Sequence, residues 1–273
     1  MDKKVPISIC VIIFFFIVYL GYSGDYLENF FVKNKRIPKI IYKTGPLPYN
    51  NLSLDIKDLF SKTLEMNPDF KLEYYDDKRC RLLIKNNFNY NVLHAYDNLI
   101  PGAYKADLFR YCVLYLYGGV YSDLTQVFYK PFNHYVDFEK DKLVLVDDDI
   151  VKICKISGIQ INFMASYPKH PIFLQAIQEI VKNVNANYYG DCTLSPTGPV
   201  LFRKIYNKSG YKARIDLYQT HKNGPSRVVD NKTNSLFFKN KMSNHNMYIN
   251  KNISNAYGIL WRKRSIYHNH QST

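Results

Sequence analysis

Hydrophobic and polar positions follow three regimes along this chain. From Val5 to Tyr22 there is no alternation: VPISICVIIFFFIVYLGY carries no charge. As a helix it would be about 27 Å long at ~1.5 Å per residue, close to the hydrocarbon thickness of a thin bilayer. Lys3 and Lys4 precede it, and Asp25 and Glu28 follow. That asymmetry predicts a single-pass type II anchor with a cytoplasmic N-terminus and the rest of the chain across the membrane. A cleaved signal peptide and a buried core helix are the alternatives, the first weakened by the lack of an A-x-A-like cleavage site. The chain thus divides into a cytoplasmic tip and signal anchor (1–24), a polar stem (25–36) and a body (37–273). No repeat, low-complexity linker or break in composition divides the body, so it is read as one domain.

Within the body, strand and helix periods alternate. Ile37 to Thr44 reads as a strand closed by Gly45-Pro46, Asp55 to Met66 as a helix, Phe70 to Tyr75 as a strand, and Lys78 to Lys85 as the start of another helix. That rhythm predicts an open, mostly parallel sheet with helices on both faces, whose ligands bind beyond the carboxyl ends of the strands. The most informative stretch is Pro101 to Lys130. Pro101 suits a first helical turn, and Gly118-Gly119 suits the stop. Between them Leu108, Tyr111, Cys112, Tyr115 and Leu116 share one face, with Asp107 and Arg110 together at its edge. After the glycines the period becomes two, which predicts a strand with Tyr121, Asp123 and Thr125 on one side. A carboxylate there can hold ribose and sugar hydroxyls, and a second one two residues on would ligate a divalent metal bridging a diphosphate. A tight helix–strand junction ending in a solvated Asp is the plainer alternative.

Composition changes this picture little. The 25 Tyr, 17 Phe and net charge of +14 accompany abundant Lys, Asn and Ile, as an AT-rich genome would encode. The basic balance favours anionic ligands such as nucleotide diphosphates or membrane headgroups. No compact basic block, zinc-finger spacing or RNP-like motif points to nucleic acid. The five Cys show no metal spacing. Beyond Cys10, the remaining Cys80, Cys112, Cys154 and Cys192 are open to one or two disulfides or to buried free thiols. Sequons occur at Asn51, Asn207, Asn231 and Asn252.

The run A-x-K-A-D-L-x-R-Y-x-x-L-Y-x-Y-G-G-V-Y-x-D resembles the signature of the DXD-containing glycosyltransferases. That group includes glycosyltransferase family 32, the initiating α-1,6-mannosyltransferases, the mannosyl-inositol-phosphoceramide synthases and capsular polysaccharide transferases. IPKIIYKTG, NPDFKLEYYDD, INFMASYPKHPIF and Thr197-Gly198-Pro199 resemble further family segments in the same order, so the likeness runs from Ile37 to Tyr206 and more loosely to ILWRKRSIY.

The resemblance implies a GT-A-type, Rossmann-like fold and retaining sugar transfer from a nucleotide-sugar donor to a glycan, lipid or protein acceptor. It assigns Asp107 and Arg110 to the donor sugar, Tyr121 to the sugar or base, and Asn162 to the transferred sugar. Tyr42 and Thr44 would line the nucleotide pocket, and Asp123 would hold the ribose and the Mn²⁺ or Mg²⁺. Thr125 stands where the family has a second Asp, a neutral and poorer ligand for a hard dication. Three readings follow. Asp123 holds the metal with help from phosphates, water and a distant group such as His245, His268 or His270. Alternatively, Arg262, Lys263 and Arg264 neutralise the diphosphate, or the protein has lost activity and keeps only binding. The Asp147-Asp148-Asp149 run reads as a solvated turn, and Asp76-Asp77 as loop charges.

The setting implied is the lumenal side of the Golgi or endoplasmic reticulum, or the equivalent viral or bacterial membrane.

Overall fold

The computed structural model describes residues 35–151, 154, 156–220, 226–240 and 257–268. The expected anchor, nearly all of the stem, Asn252, His245 and His270 lie outside these residues. Among the described residues no helix is long and apolar enough to cross a membrane.

From Arg36 on, the chain forms one compact unit. It opens with β1 (Ile40–Thr44), α1 (Leu54–Met66), β2 (Lys71–Tyr75), α2 (Asp77–Asn87), α3 (Tyr90–Asn98), α4 (Gly102–Tyr117) and β3 (Gly119–Ser122). β4 (Gln126–Phe128), β5 (Leu143–Val151), β6 (Ile156–Ser166), α5 (Pro171–Asn185) and α6 (Pro199–Ser209) follow. β7 (Arg214–Thr220), β8 (Arg227–Asp230), β9 (Leu236–Asn240) and α7 (Tyr257–Arg262) complete it. Side chains supply the helix starts: Ser53, Asp76 and Asn89 each accept the backbone N–H three residues on. Asp76 is therefore a cap rather than a loop charge, and Asp77 stands in the first turn that it caps.

The strands form one sheet in the order β2-β1-β3-β6-β5-β7-β8-β9-β4. β1 is parallel to β2 and β3, and β5 to β7. The pairs β3–β6, β5–β6, β7–β8, β8–β9 and β4–β9 are antiparallel. The sheet is thus mixed rather than mostly parallel as expected, with parallel pairing confined to β2-β1-β3 and to β5–β7. The difference arises because β5 runs straight into β6 and β8 into β9, and chain reversal without a crossover helix forces antiparallel pairing.

Alternation in the strands separates two cores. Tyr42 and Tyr121, cross-strand partners, face the cluster built with α2 to α6. Ile41 and Val120 face the other way, into an aromatic cluster that includes Phe128, Phe132, Phe163 and Phe237. α1 covers that second side through Ile56 and Phe60. The Asp147–Asp149 run does not form a turn: it continues β5, with Asp148 4% exposed and Asp147 paired with Arg203.

Two local features aim the site. Gly118 and Gly119 take φ of +63° and +90°, which side-chain-bearing residues rarely adopt. They let the helix stop and the strand begin without an intervening loop. In β6, the register against β5 slips between Val144 and Val146. Such an irregularity removes carbonyls from the ladder and turns them to other donors. A disulfide joins Cys154 to Cys192, 38 residues apart, tying the β5–β6 turn to the segment before α6, while Cys80 and Cys112 are buried thiols. In the chain-entropy account a ring of that size stabilises by roughly 4 kcal/mol.

Candidate active site

Asp107 and Arg110, expected together at the edge of the apolar face of α4, are buried there: they are 8% and 5% exposed. One Asp107 carboxylate oxygen is 3.0 Å from the Arg110 guanidinium, and the other accepts from Thr197 Oγ1 at 2.7 Å. The same guanidinium reaches Asp123, 3.4 Å away, and donates to the Ile161 carbonyl in the slipped part of β6. Its centre lies 4.4 Å from the Tyr121 ring centroid. Arg110 therefore bridges helix and strand end, with Tyr121 against one face and polar partners along its edge.

Electrostatics follows from this packing. Burial pushes the Asp107 carboxyl up to about 6, against the opposing pull of Arg110 and Thr197. Burial works against the charge on Arg110, yet Tyr121, Asp123 and Asp107 more than offset it and hold the guanidinium protonated. Burial likewise raises the Tyr121 phenol, so it remains a neutral hydroxyl.

Asp123 follows β3 directly, and its side chain is 40% exposed, the open end of this otherwise closed cluster. Its backbone N–H donates to the Asn162 carbonyl at 3.0 Å. Asn162 is 4% exposed; its amide donates to Gln219 at 3.3 Å, and its Oδ1 has no partner among the described residues. A buried unpaired carbonyl costs about 1–3 kcal/mol, so a ligand hydroxyl reaching it would be favoured. Thr125 sits in the turn after Asp123 rather than on the expected strand extension, because β3 ends at Ser122.

The other residues expected at the site are placed differently. Tyr42 is 3% exposed and packs with Tyr75 and Tyr117, ring centroids 6.3 and 6.5 Å away. Thr44 donates to the Tyr75 carbonyl at 2.8 Å and touches the Cys80 thiol. Both line the core beneath the strand ends. His268 is exposed and its backbone N–H is bonded to Asn98; Arg264 stacks on Tyr189. Arg262 and Lys263 are exposed.

Sequence reading missed three participants. Thr197 was seen only as part of a turn motif. Tyr257 on α7 lies with Tyr104, ring centroids 5.8 Å apart, within electrostatic reach of Asp107. Lys43, 1% exposed, donates to Ser122 Oγ at 2.7 Å and to the Asp123 carbonyl at 2.9 Å. Burial lowers its ammonium to about 7, opposed by Asp123. Its signal was a lysine at an inward position of a buried strand.

For a divalent metal the donor set is one partly open carboxylate, Asp123, with a neutral hydroxyl two positions on. Among the described residues no group of three His, Cys, Asp or Glu could enclose an ion. That set fits Mg²⁺ or Mn²⁺, which keep waters and take oxygens from a bound diphosphate, and does not fit a closed all-protein cage.

Residues 53–145 match the family described as the glycosyltransferase sugar-binding region containing a DXD motif. An uncharacterised glycosyltransferase of Acanthamoeba polyphaga mimivirus is 28% identical over 205 residues, covering 72% of this chain and 76% of the viral one. A mannosyl phosphorylinositol ceramide synthase of Saccharomyces cerevisiae is 28% identical over 202 residues, covering 72% of this chain and 47% of its own length. The initiation-specific α-1,6-mannosyltransferase of Candida albicans is 34% identical over 121 residues, 43% of this chain and 30% of the fungal one. The chain thus spans less than half the length of these two fungal relatives. Among solved structures, the PaToxG glycosyltransferase shares the fold, with a TM-score of 0.51 at 16% identity over 69% of this chain and 78% of its own. Over residues 53–145 this chain is thus similar to the sugar-binding region of the DXD-containing glycosyltransferases, and the relatives it matches are named as glycosyltransferases.

Proposed function

We infer that the protein transfers a sugar from a nucleoside-diphosphate sugar to a hydroxyl of a glycan, glycolipid or glycoprotein acceptor, with retention of anomeric configuration. The observation that carries this reading is Arg110 joining Asp107 and Asp123, which gathers a buried acid, a fixed cation and a half-open acid at one strand end. In the reading, Asp107 accepts from sugar hydroxyls while Thr197 and Arg110 hold its two oxygens in place. The orphaned Asn162 Oδ1 takes a further sugar hydroxyl. Asp123 holds the ribose and, with Thr125, would hold a divalent metal, which when bound supplies positive charge to the departing nucleoside diphosphate. No residue is assigned as nucleophile or base, and leaving-group stabilisation carries the catalysis. The mannosyl names of the two fungal relatives put a mannosyl donor first in any screen.

The setting follows the same inference. The apolar 5–22 segment anchors the chain as a type II membrane protein, with the body on the lumenal or equivalent side. The Cys154–Cys192 disulfide suits an oxidising compartment.

Thr125 favours a second reading, a degenerate transferase that binds nucleotide sugar without turning it over. A panel of nucleotide sugars, assayed for hydrolysis with and without Mn²⁺ and for binding by calorimetry, separates the two. Metal-stimulated hydrolysis of one donor supports the transferase. Binding of a nucleoside diphosphate with no release from any donor supports the binder, and no binding at all removes both.

A further inference from the structure

Lys43 is buried on the opposite side of β1 from Tyr42, between the rings of Phe60 and Phe128, each centroid 5.7 Å from its ammonium. It takes part in none of the ion pairs among the described residues. Keeping a cation there is unfavourable unless its hydrogen bonds and the surrounding field offset the loss of water. Its partners say what is gained. The ammonium donates to the Asp123 carbonyl and to Ser122 Oγ. Ser122 Oγ donates in turn to Gln126 Oε1 at 2.8 Å, and Gln126 Nε2 donates to the Asn162 carbonyl at 3.0 Å. That same carbonyl accepts the Asp123 N–H at 3.0 Å. The bonds close into a ring, each running from a donor to an acceptor, and both backbone polar groups of Asp123 belong to it. The ring lies behind the turn, so the Asp123 side chain is left to face solvent.

We propose that Lys43, Ser122 and Gln126 are positioning residues that lock the Asp123 turn in its donor-binding geometry. The proposal rests on the sugar-transfer reading for its consequence and on the ring alone for its mechanism. A turn fixed at both N–H and C=O cannot swing its backbone, and with it the root of the carboxylate, away when donor leaves, so main-chain reorganisation is avoided at each turnover. Because Thr125 supplies no second acid, placement of the one remaining carboxylate decides more here than it would in a paired site.

The test compares wild type, Lys43→Met and Gln126→Leu in donor hydrolysis, thermal unfolding and amide hydrogen exchange over residues 119–128. Lys43→Met removes the ammonium at similar length. Expected are a 30- to 300-fold fall in kcat/KM, expressed mainly in kcat, and faster exchange at 119–128, with a melting temperature equal to or above that of wild type. The last follows because loss of a buried charge often stabilises. Gln126→Leu should move activity and exchange in the same direction by a smaller factor. If Lys43→Met simply fails to fold, Gln126→Leu carries the same comparison. Unchanged kcat/KM and exchange in folded variants would overturn the proposal, as would a loss of activity no larger than the loss of folded protein. Should wild type turn over no donor, sugar transfer fails separately, and exchange at 119–128 still decides whether the ring holds the turn.

Discussion

Asp107 shows how one buried carboxyl sets a working range. Its burial raises the proton affinity of the folded state, so the ionised form that pairs with Arg110 dominates only above about pH 6. The sign for stability runs the other way from a salt-bridged surface acid. Folding favours the protonated group, so its contribution to stability declines as pH rises from about 4 to about 6. Donor turnover should accordingly fall about tenfold per unit below pH 6, read as an acid limb in the kcat/KM profile. The residual activity of Asp107→Asn should lack that limb; a limb that persists unchanged belongs to another group. The grouping of Asp107, Arg110 and Asp123 was legible in the sequence because their spacings, three residues on a helix and a strand end after two glycines, are local. Lys43 was not legible, because only the pairing of β1 with β3 brings its ammonium to the Asp123 turn.

At the scale of elements, the junction between α4 and β3 is the precise part. A Cβ on Gly119 would fall 2.7 Å from the Ile40 carbonyl oxygen, and one on Gly118 would fall 2.6 Å from the Pro168 nitrogen. Both obstacles are backbone atoms of neighbouring strands and turns, which cannot swing aside as a side chain would. Gly119→Ala should therefore cost roughly 2–4 kcal/mol through strain and displacement of β3, with donor turnover falling further than the folded fraction does. Chemical denaturation and a turnover assay on the same preparation check this; wild-type stability in the variant would mean the junction has slack. Four of the expected elements matched closely, α1, β2, α2 and α4 beginning or ending within one or two residues of the expected bounds, while β1 starts three residues later than expected. One departure is instructive. Asp147 to Asp149 read as a turn because three acids rarely continue a strand, yet cross-strand pairing with Gly158 and Gln219 and the Arg203 contact keep β5 extended. Tertiary partners overrode local preference there.

In the whole molecule, the site draws on segments far apart in sequence: β1 for Lys43, α4 for the Asp107–Arg110 pair, β6 for Asn162 and the turn before α6 for Thr197. The Cys154–Cys192 bond ties the β5–β6 turn to the segment that delivers Thr197. Parallel pairing of β1, β2 and β3 was foreseeable from the alternation of strands and helices. The antiparallel half was not, since a long hairpin such as β5–β6 carries no helix to announce it. The account as a whole rests on the half-open carboxylate at the end of β3 acting on a nucleotide sugar. Its most direct test is hydrolysis of the preferred donor by wild type and by Asp123→Asn, each with and without Mn²⁺. The account predicts at least a hundredfold loss in the variant, a circular dichroism spectrum and melting temperature close to wild type, and no recovery with added metal. Turnover in Asp123→Asn equal to that of wild type would contradict it.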